Sequence, residues 1–347
     1  HSLLYQFCFT GSRLKSYCFF IGTVGSTGCI SRNTADIREH IKIIVNVILN
    51  VDYIATVGTA LQLSGRACDT AIYVLARQAG EGNDRYDQQG DYRLDDVERE
   101  NLEFVSRNYK NFIVVINAGG VIDVSFLDTL HVSALVYYVQ GGEEGGNALA
   151  DVLSGKVNFS GKLATSWAYR FEDIPSNTTY SYLAPDKHNQ EYNEGIYVGY
   201  RYFDTFGVKP RYAFGYGLSY TTFDIAYVSA NAELGAVTVK ATVTNTGSAA
   251  GKEVVQLYAS VPFGDGAEKQ RLAAFAKTKE LAPGETQEVM LNVSLRDLSC
   301  YDEAKAAWVL RDGAYILRLG NASNSNEAVA VLPLAEEAVL EQCANVC

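Results

Sequence analysis

The sequence predicts an α/β fold, a mostly parallel-sheet α/β sandwich domain followed by an all-β sandwich. Three observations carry that prediction. Short, almost wholly apolar runs at residues 71–76, 112–117 and 134–139 alternate with helix-like spacing, the pattern of strands buried on both faces of a parallel sheet. From Asp224 onward the texture changes to short alternating strands separated by Pro/Gly turns. The chain has 347 residues, 48% hydrophobic and 20% charged, enough for two cores of ordinary globular composition.

The first 60 residues are the least regular. Phe7 to Ser12 reads as a strand running into a turn, and Gly22 to Gly28 is a glycine-rich loop. A phosphate cradle is excluded there, because no Lys-Ser/Thr follows and the Rossmann spacing is absent. Residues 41–51 are apolar enough for a buried helix or strand, and periodicity does not choose between them. Residues 2–21 make a poor signal peptide, since Arg13 and Lys15 interrupt the apolar run instead of preceding it.

The stretch from Ala71 to Leu94 organises the first domain. Its apolar strand breaks into Gly80-Glu81-Gly82, then into a dense charged set: Asp84, Arg85, Asp87, Asp91 and Arg93. A carboxylate between two glycines, just past the C-terminal end of a buried strand, sits where open α/β sheets bind ligands. The alternative is a polar strand-to-helix loop carrying charge for solubility. A helix over 95–108 follows, with Asp95 and Asp96 as N-cap candidates. Val97, Leu102 and Val105 form its apolar stripe, with Glu98, Arg99 and Glu103 off it. The strand at 112–117 ends in Ala118-Gly119-Gly120, and the one at 134–139 ends in Gln140-Gly141-Gly142-Glu143-Glu144. Glu143 and Glu144 read as acidic residues at the start of the helix through Ala148, Leu149, Val152 and Leu153, where negative charge is favourable.

Residues 164–222 are rich in Tyr, Asn and Pro. The alternating aromatics of 194–204 and 214–223 predict extended strands crossing a surface, with glycines at close backbone approaches. Beyond Asp224, strands are predicted at 237–243, 254–261, 288–295, 308–310 and 315–320, with turns at Asn245-Thr246-Gly247 and Leu281 to Glu285.

The net charge of −11, 29 basic against 40 acidic residues, argues against nucleic-acid binding and suits a neutral substrate. No apolar run is long enough to span a membrane as a helix. The seven cysteines are odd in number and scattered, which fits free thiols in a cytoplasmic setting, with secretion as the alternative. With only four histidines, none near Cys343 and Cys347, no metal ligand set is expected. No cofactor is expected either. A nicotinamide enzyme is disfavoured by the absence of G-x-G-x-x-G and of a ribose-binding acid at the right offset.

Several of these stretches resemble one family. The Gly80-Glu81-Gly82 loop with Asp84-Arg85 and Gly90-Asp91-Tyr92 resembles the acid/base loop of family 3 glycoside hydrolases. Leu153-x-Gly155 through Ser160-Gly161-Lys162-Leu163 is similar to that family's stereotyped "Leu-x-Gly-x-x-x-x-Ser-Gly-Lys-Leu" run. Glu194 to Asp204 and Phe214 to Phe223 resemble its connector, and the terminal sandwich resembles its fibronectin type III-like domain. The resemblance implies an α/β sandwich at 1–170, a connector at 171–222, a fibronectin type III-like sandwich at 223–335, and a tail or linker at 336–347. It implies a retaining, exo-acting β-glucosidase acting on β-linked glucosides or oligosaccharides. Glu81 falls on the catalytic acid/base, and Ser26, Asp84 and Arg85 become candidate substrate contacts. Tyr197, Tyr200 and Arg201 would support the pocket wall or pack a domain interface. The family's nucleophile is an aspartate on a (β/α)8 barrel, and no segment here reads as that barrel, so a barrel domain or chain is an expected partner. A β-xylosidase or arabinofuranosidase, a non-catalytic carbohydrate-binding or scaffold subunit, and a homo-oligomer stay open.

Overall fold

In a computed structural model the described residues are 3–8, 17–21, 54–57, 69–77, 84–180, 186, 188–189, 191–233, 235–262, 264 and 267–344. The chain divides into two compact units, His1–Val157 and Asn158–Cys347.

The first unit is built on one mixed six-stranded sheet. Its strands are β1 (Leu3–Cys8), β2 (Tyr17–Ile21), β3 (Ile54–Val57), β4 (Thr70–Ala76), β5 (Asn111–Asn117) and β6 (Ala134–Tyr137), in the order β3-β1-β2-β4-β5-β6. β2, β4, β5 and β6 run parallel, while β1 pairs antiparallel with both β2 and β3. The sheet is therefore mostly parallel. Every residue of β4 is buried, as its uninterrupted apolar run requires of a central strand.

β6 departs from the expectation of a third fully buried strand. It lies at the sheet edge, its residues are exposed or half-buried, and it stops at Tyr137. Val139, read as part of this strand, has φ +60°, a conformation that ends the extended chain and is strained for a β-branched residue.

Helix α1 (Asp96–Asn108) joins β4 to β5 and begins at a reciprocal capping box between Asp95 and Glu98. Its stripe differs from the sequence reading: Val97 is 42% exposed, whereas Glu98 is 1% exposed and faces inward with Leu102 and Val105. Glu98, Leu102 and Val105 follow one another at intervals of four and three residues, so they share a face that Val97 does not. Helix α2 (Gly145–Leu153) starts at Glu144, but the Glu144 side chain bonds no backbone N–H there; its Oε2 accepts from Asn147 Nδ2 at 2.6 Å.

The second unit contains helix α3 (Tyr200–Phe206) and a set of antiparallel sheets. β10 (Arg271–Lys277), β9 (Val254–Ser260), β14 (Gly313–Ala322) and β15 (Ser325–Leu334) form one four-stranded sheet in that order. β11 (Thr286–Ser294), β8 (Ala236–Asn245) and β7 (Phe223–Glu233) form a second sheet. The inward residues of the alternating strands, among them Val239, Val243, Leu257, Leu291 and Leu317, make a single core with Leu281. After a short helix, α4 (Leu295–Leu298), come β12 (Cys300–Asp302), β13 (Ala307–Leu310) and β16 (Ala338–Gln342), which form a third small sheet.

Residues 200–206, expected to be extended, are helical. Gly199 at φ +58° turns the chain into α3, and Gly207 at φ +67° ends it in the left-handed conformation. Their aromatics repeat at helical intervals, Tyr202 lying against Phe206 with ring centroids 5.2 Å apart.

Candidate active site

The parallel direction of β4, β5 and β6 brings their C-terminal ends to one edge of the sheet. Past β4 the ladder continues for one more bond, Arg77 N–H donating to Asn117 O at 2.9 Å. Arg77 is the first charge after seven apolar or neutral residues, and its side chain turns back into the fold, only 5% of the residue being exposed. Nη1 and Nη2 meet the two carboxylate oxygens of Glu98 at 2.6 and 2.7 Å. The same guanidinium donates to the carbonyls of Ala76 at 2.9 Å, Asp91 at 2.6 Å and Arg93 at 3.3 Å. One buried cation thus ties together the end of β4, the following loop and the first turn of α1.

The loop from Asp84 to Leu94 is held by further ion pairs. Arg85 Nη1 donates to Asp91 Oδ1 at 2.6 Å, and the Tyr86 backbone N–H donates to Asp91 Oδ2 at 2.6 Å. Arg93 pairs with Asp87 at 2.6 Å, and Asp123 N–H, from beyond β5, donates to the Tyr92 carbonyl at 2.8 Å. Tyr92 and Leu94 are buried beneath this charged surface. The charges that read as a solvated cluster in sequence are therefore largely paired with one another.

At the end of β6, burial raises the pKa of the Tyr137 phenol and the nearby Arg85 charge acts against the rise. Burial likewise raises the Tyr138 phenol. The Tyr138 hydroxyl lies within 2.2 Å of where a Cβ on Gly141 or Gly145 would stand, so a side chain at either position would displace the Tyr138 ring from its place at the turn into α2. Burial is the largest influence on the Glu98 carboxyl and raises its pKa, with the Arg77 hydrogen bonds opposing it.

Of the residues singled out in the sequence, Glu81 and Ser26 lie outside the described residues. Asp84 and Arg85 are both half-buried in the loop after β4; the Arg85 side chain, 16% exposed, is bonded to Asp91. Asp91 and Glu98 are the residues that reasoning from sequence passed over. Asp91 appeared there only as one charge among five. The Asp95-x-x-Glu98 capping spacing and the isolated arginine at the strand end were the available signals for Glu98. Among the described residues no group of three or more His, Cys, Asp or Glu side chains is placed to hold a metal ion, and no helix is long and apolar enough to cross a membrane.

In the second unit the stereotyped run after α2 has a structural explanation. Lys162 pairs with Glu253 at 2.8 Å, and Lys277 Nζ donates to the Ser160 carbonyl at 3.1 Å and hydroxyl at 2.9 Å. Asn158 Oδ1 accepts from Ser219 Oγ and Tyr220 N–H at 3.0 and 2.8 Å, while its Nδ2 donates to Ala250 O at 2.8 Å. Of the three connector residues considered above, Tyr200 and Arg201 pack against the sandwich: Tyr200 Oη accepts from Leu272 N–H at 2.8 Å and Arg201 pairs with buried Glu268 at 2.9 Å. Tyr197 instead packs edge-on against Phe206.

Comparison with known proteins gives this arrangement its family. Residues 35–200 match the glycosyl hydrolase family 3 C-terminal domain, and residues 253–323 match the fibronectin type III-like domain. The chain belongs to glycosyl hydrolase family 3. A β-glucosidase of Ruminococcus albus is 39% identical over 289 residues, 80% of this chain and 30% of that protein. β-Glucosidase A of Butyrivibrio fibrisolvens is 38% identical over 325 residues, 80% of this chain and 39% of that protein. Among solved family 3 structures, β-glucosidase 3B of Thermotoga neapolitana in complex with α-D-glucose superposes with a TM-score of 0.74 at 38% identity, covering 79% of this chain and 39% of that one. A β-glucosidase of Paenibacillus barengoltzii gives a TM-score of 0.76 at 39% identity, covering 80% of this chain and 32% of that one. The chain thus spans about a third of the length of these relatives.

Proposed function

We propose that this chain is the part of a retaining, exo-acting β-glucosidase that supplies the general acid/base, Glu81, while a (β/α)8 barrel elsewhere supplies the aspartate nucleophile. The observation that carries the proposal is the Gly80-Glu81-Gly82 sequence, which comes shortly after β4 along the chain, in a protein 39% identical to a β-glucosidase over 80% of this chain's length. Substrates would be β-linked glucosides or oligosaccharides bound through their terminal non-reducing glucose.

In such a mechanism two carboxyl groups stand about 5–5.5 Å apart, one attacking the anomeric carbon and the other protonating the departing oxygen. The acid then acts as base on the incoming water. A group with that double role needs a pKa near the working pH, and neighbouring unpaired cations would depress it. Arg77 and Arg85 flank the segment, and each is bonded to a carboxylate of its own, Glu98 and Asp91. Asp84 and Arg85 stay candidates for contact with the sugar, as does Ser26.

The test is hydrolysis by the protein together with its barrel, comparing p-nitrophenyl β-glucoside, β-xyloside and α-arabinofuranoside, with the first-formed anomer followed by proton NMR. The reading predicts preference for the glucoside and β-glucose as the initial product. Preference for the xyloside or arabinoside would assign the chain to a sister activity. Initial α-glucose would contradict the retaining mechanism, and absence of all three activities would favour a non-catalytic carbohydrate-binding role.

A further inference from the structure

We infer that β16 is a strap latched by charge, which opens and closes on the second unit as a separate piece and is released by acid. The inference stands apart from the acid/base assignment, since every residue it uses lies between 296 and 343. β16 is an edge strand that buries little apolar surface. None of its five residues is buried, and Val339 and Leu340 are 55% and 37% exposed. The strand beneath it is the opposite: Ala307, Val309 and Leu310 of β13 are all buried. β16 pairs with β13 along one side, in a ladder running from Ala307↔Gln342 to Leu310↔Ala338 with an irregularity between Trp308 and Val309. Ala338, its first residue, packs against the sandwich core, so the strand beyond Ala338 is the part free to leave.

Charge closes the strap at both ends. Just before it, Glu337 bonds Lys305 and accepts from Arg311 Nη1 at 2.9 Å. Near its far end Glu341 bonds Arg296, whose guanidinium lies 3.8 Å from the centre of the Trp308 ring. Gln342 Nε2 donates to the Lys305 and Ala306 carbonyls at 2.8 and 3.0 Å, and the Cys343 N–H donates to Ala306 O at 2.8 Å. The cations thus come from three places: the turn between β12 and β13, the end of β13, and α4. Asp302 of β12 shares Lys305 and Arg311, and the Cys300 thiol also faces Arg311. Exposed ion pairs are individually weak and screened by salt, and a strand with few buried contacts opens at small cost. The Lys305 hydrogen bond, with the charges of Lys305 and Arg311, holds the Glu337 carboxyl below its ordinary value of 4.5. A carboxyl lowered on closure favours the closed strap fully above that ordinary value, and the preference is lost as pH falls through the lowered one. Opening leaves β13 without its partner along one edge, a row of backbone groups able to pair with another extended strand.

The experiment is amide hydrogen exchange of the full chain, read by mass spectrometry on peptides covering β16 and β8, with rates divided by the intrinsic rate at each pH. β8, at the centre of its sheet, reports whether the sandwich is folded. As pH is lowered from 7 towards about 3, protection of β16 is expected to fall before that of β8. At pH 7, Glu337→Gln/Glu341→Gln is expected to lower β16 protection by about tenfold and leave β8 protected, the combined effect of losing several exposed pairs. About 1 M NaCl, which screens the pairs without any substitution, should lower it in the same direction in the unchanged protein. Glu288→Gln, which removes an exposed partner of Lys240 on the other sheet, should leave β16 unchanged. Protection of β16 unaffected by the double variant and by salt would overturn the latch. Loss of protection in β16 and β8 together, in acid or in the variant, would overturn it as well, because β16 would then open only with the whole unit.

Discussion

Arg77 and Glu98, 21 residues apart in sequence, meet through two parallel hydrogen bonds of 2.6 and 2.7 Å inside the first unit. A bidentate geometry of this kind is the one in which a buried ion pair can offset its desolvation, because each partner also satisfies backbone groups. Here Arg77 serves three carbonyls and Glu98 serves the N-cap of α1.

Removing one member leaves the other charge buried. Glu98→Leu should destabilise the first unit by about 3–5 kcal/mol in urea unfolding. The double variant Arg77→Met/Glu98→Leu should cost less than the sum of the two single changes, since neither charge is then left alone. Strict additivity would show that the two side chains do not act as a pair.

Asn158 is the second place where one side chain ties several segments together, here the loops before β7 and β9. Its three bonds, to Ser219, Tyr220 and Ala250, are partly exposed, so Asn158→Ala should cost about 1–3 kcal/mol of the second unit's stability. Gly251→Ala should act at the same spot, because the added carbon would stand 2.7 Å from Asn158 Nδ2. Denaturant midpoints of both variants check this, and a neutral Asn158→Ala would mean that water replaces the bonds.

The third small sheet carries a charged cluster whose pH response has a definite sign. Asp302 accepts from the Lys305 backbone and pairs with Arg311 at 2.9 Å, while Glu337 bonds Lys305 and Arg311. These contacts, led by the Lys305 hydrogen bonds, hold both carboxyls below their ordinary values of 3.8 and 4.5. A carboxyl lowered in the folded state contributes stability that is complete above its ordinary pKa and is lost as pH falls through its folded one. The second unit should therefore lose stability as pH falls from about 4.5 downward, and Asp302→Asn/Glu337→Gln should flatten that part of the profile. An unchanged acid profile in the double variant would place the dependence elsewhere.

Residues 158–344 should fold alone. The Ser160-Gly161-Lys162 run is bound to the sandwich through Glu253 and Lys277, and Tyr200 and Arg201 dock α3 onto the same unit. A fragment beginning at Asn158 should show one cooperative thermal transition, whereas a fragment beginning at Phe223 should melt lower or aggregate. Equal melting of the two would mean that the connector adds no stability.

What could be read from sequence follows the physics of each element. β4 was legible because a strand buried on both faces needs an unbroken apolar run, and β8 because one inward face gives clean alternation. β7, β10 and β15 are edge strands of their sheets with much exposed surface, and their weak alternation left them unmarked. The stretch of β16 was read as a tail for the same reason, since most of its residues are exposed. α3 was misread as extended because aromatics dominate residues 200–206 and strand preference outweighed the two glycines that bracket the turn. At the candidate site, the loop composition showed that charges gather after β4, but not which cation meets which carboxylate. That choice depends on distances across 6 to 21 residues of chain, which no local pattern encodes.

The most direct test is Glu81→Ala in the protein with its barrel, assayed on p-nitrophenyl β-glucoside with and without azide. The account predicts a collapse of turnover in the variant and partial recovery with azide, with β-glucosyl azide as product, because a small anion needs no base to attack the glycosyl-enzyme. Turnover by Glu81→Ala equal to that of the unchanged protein would contradict the account.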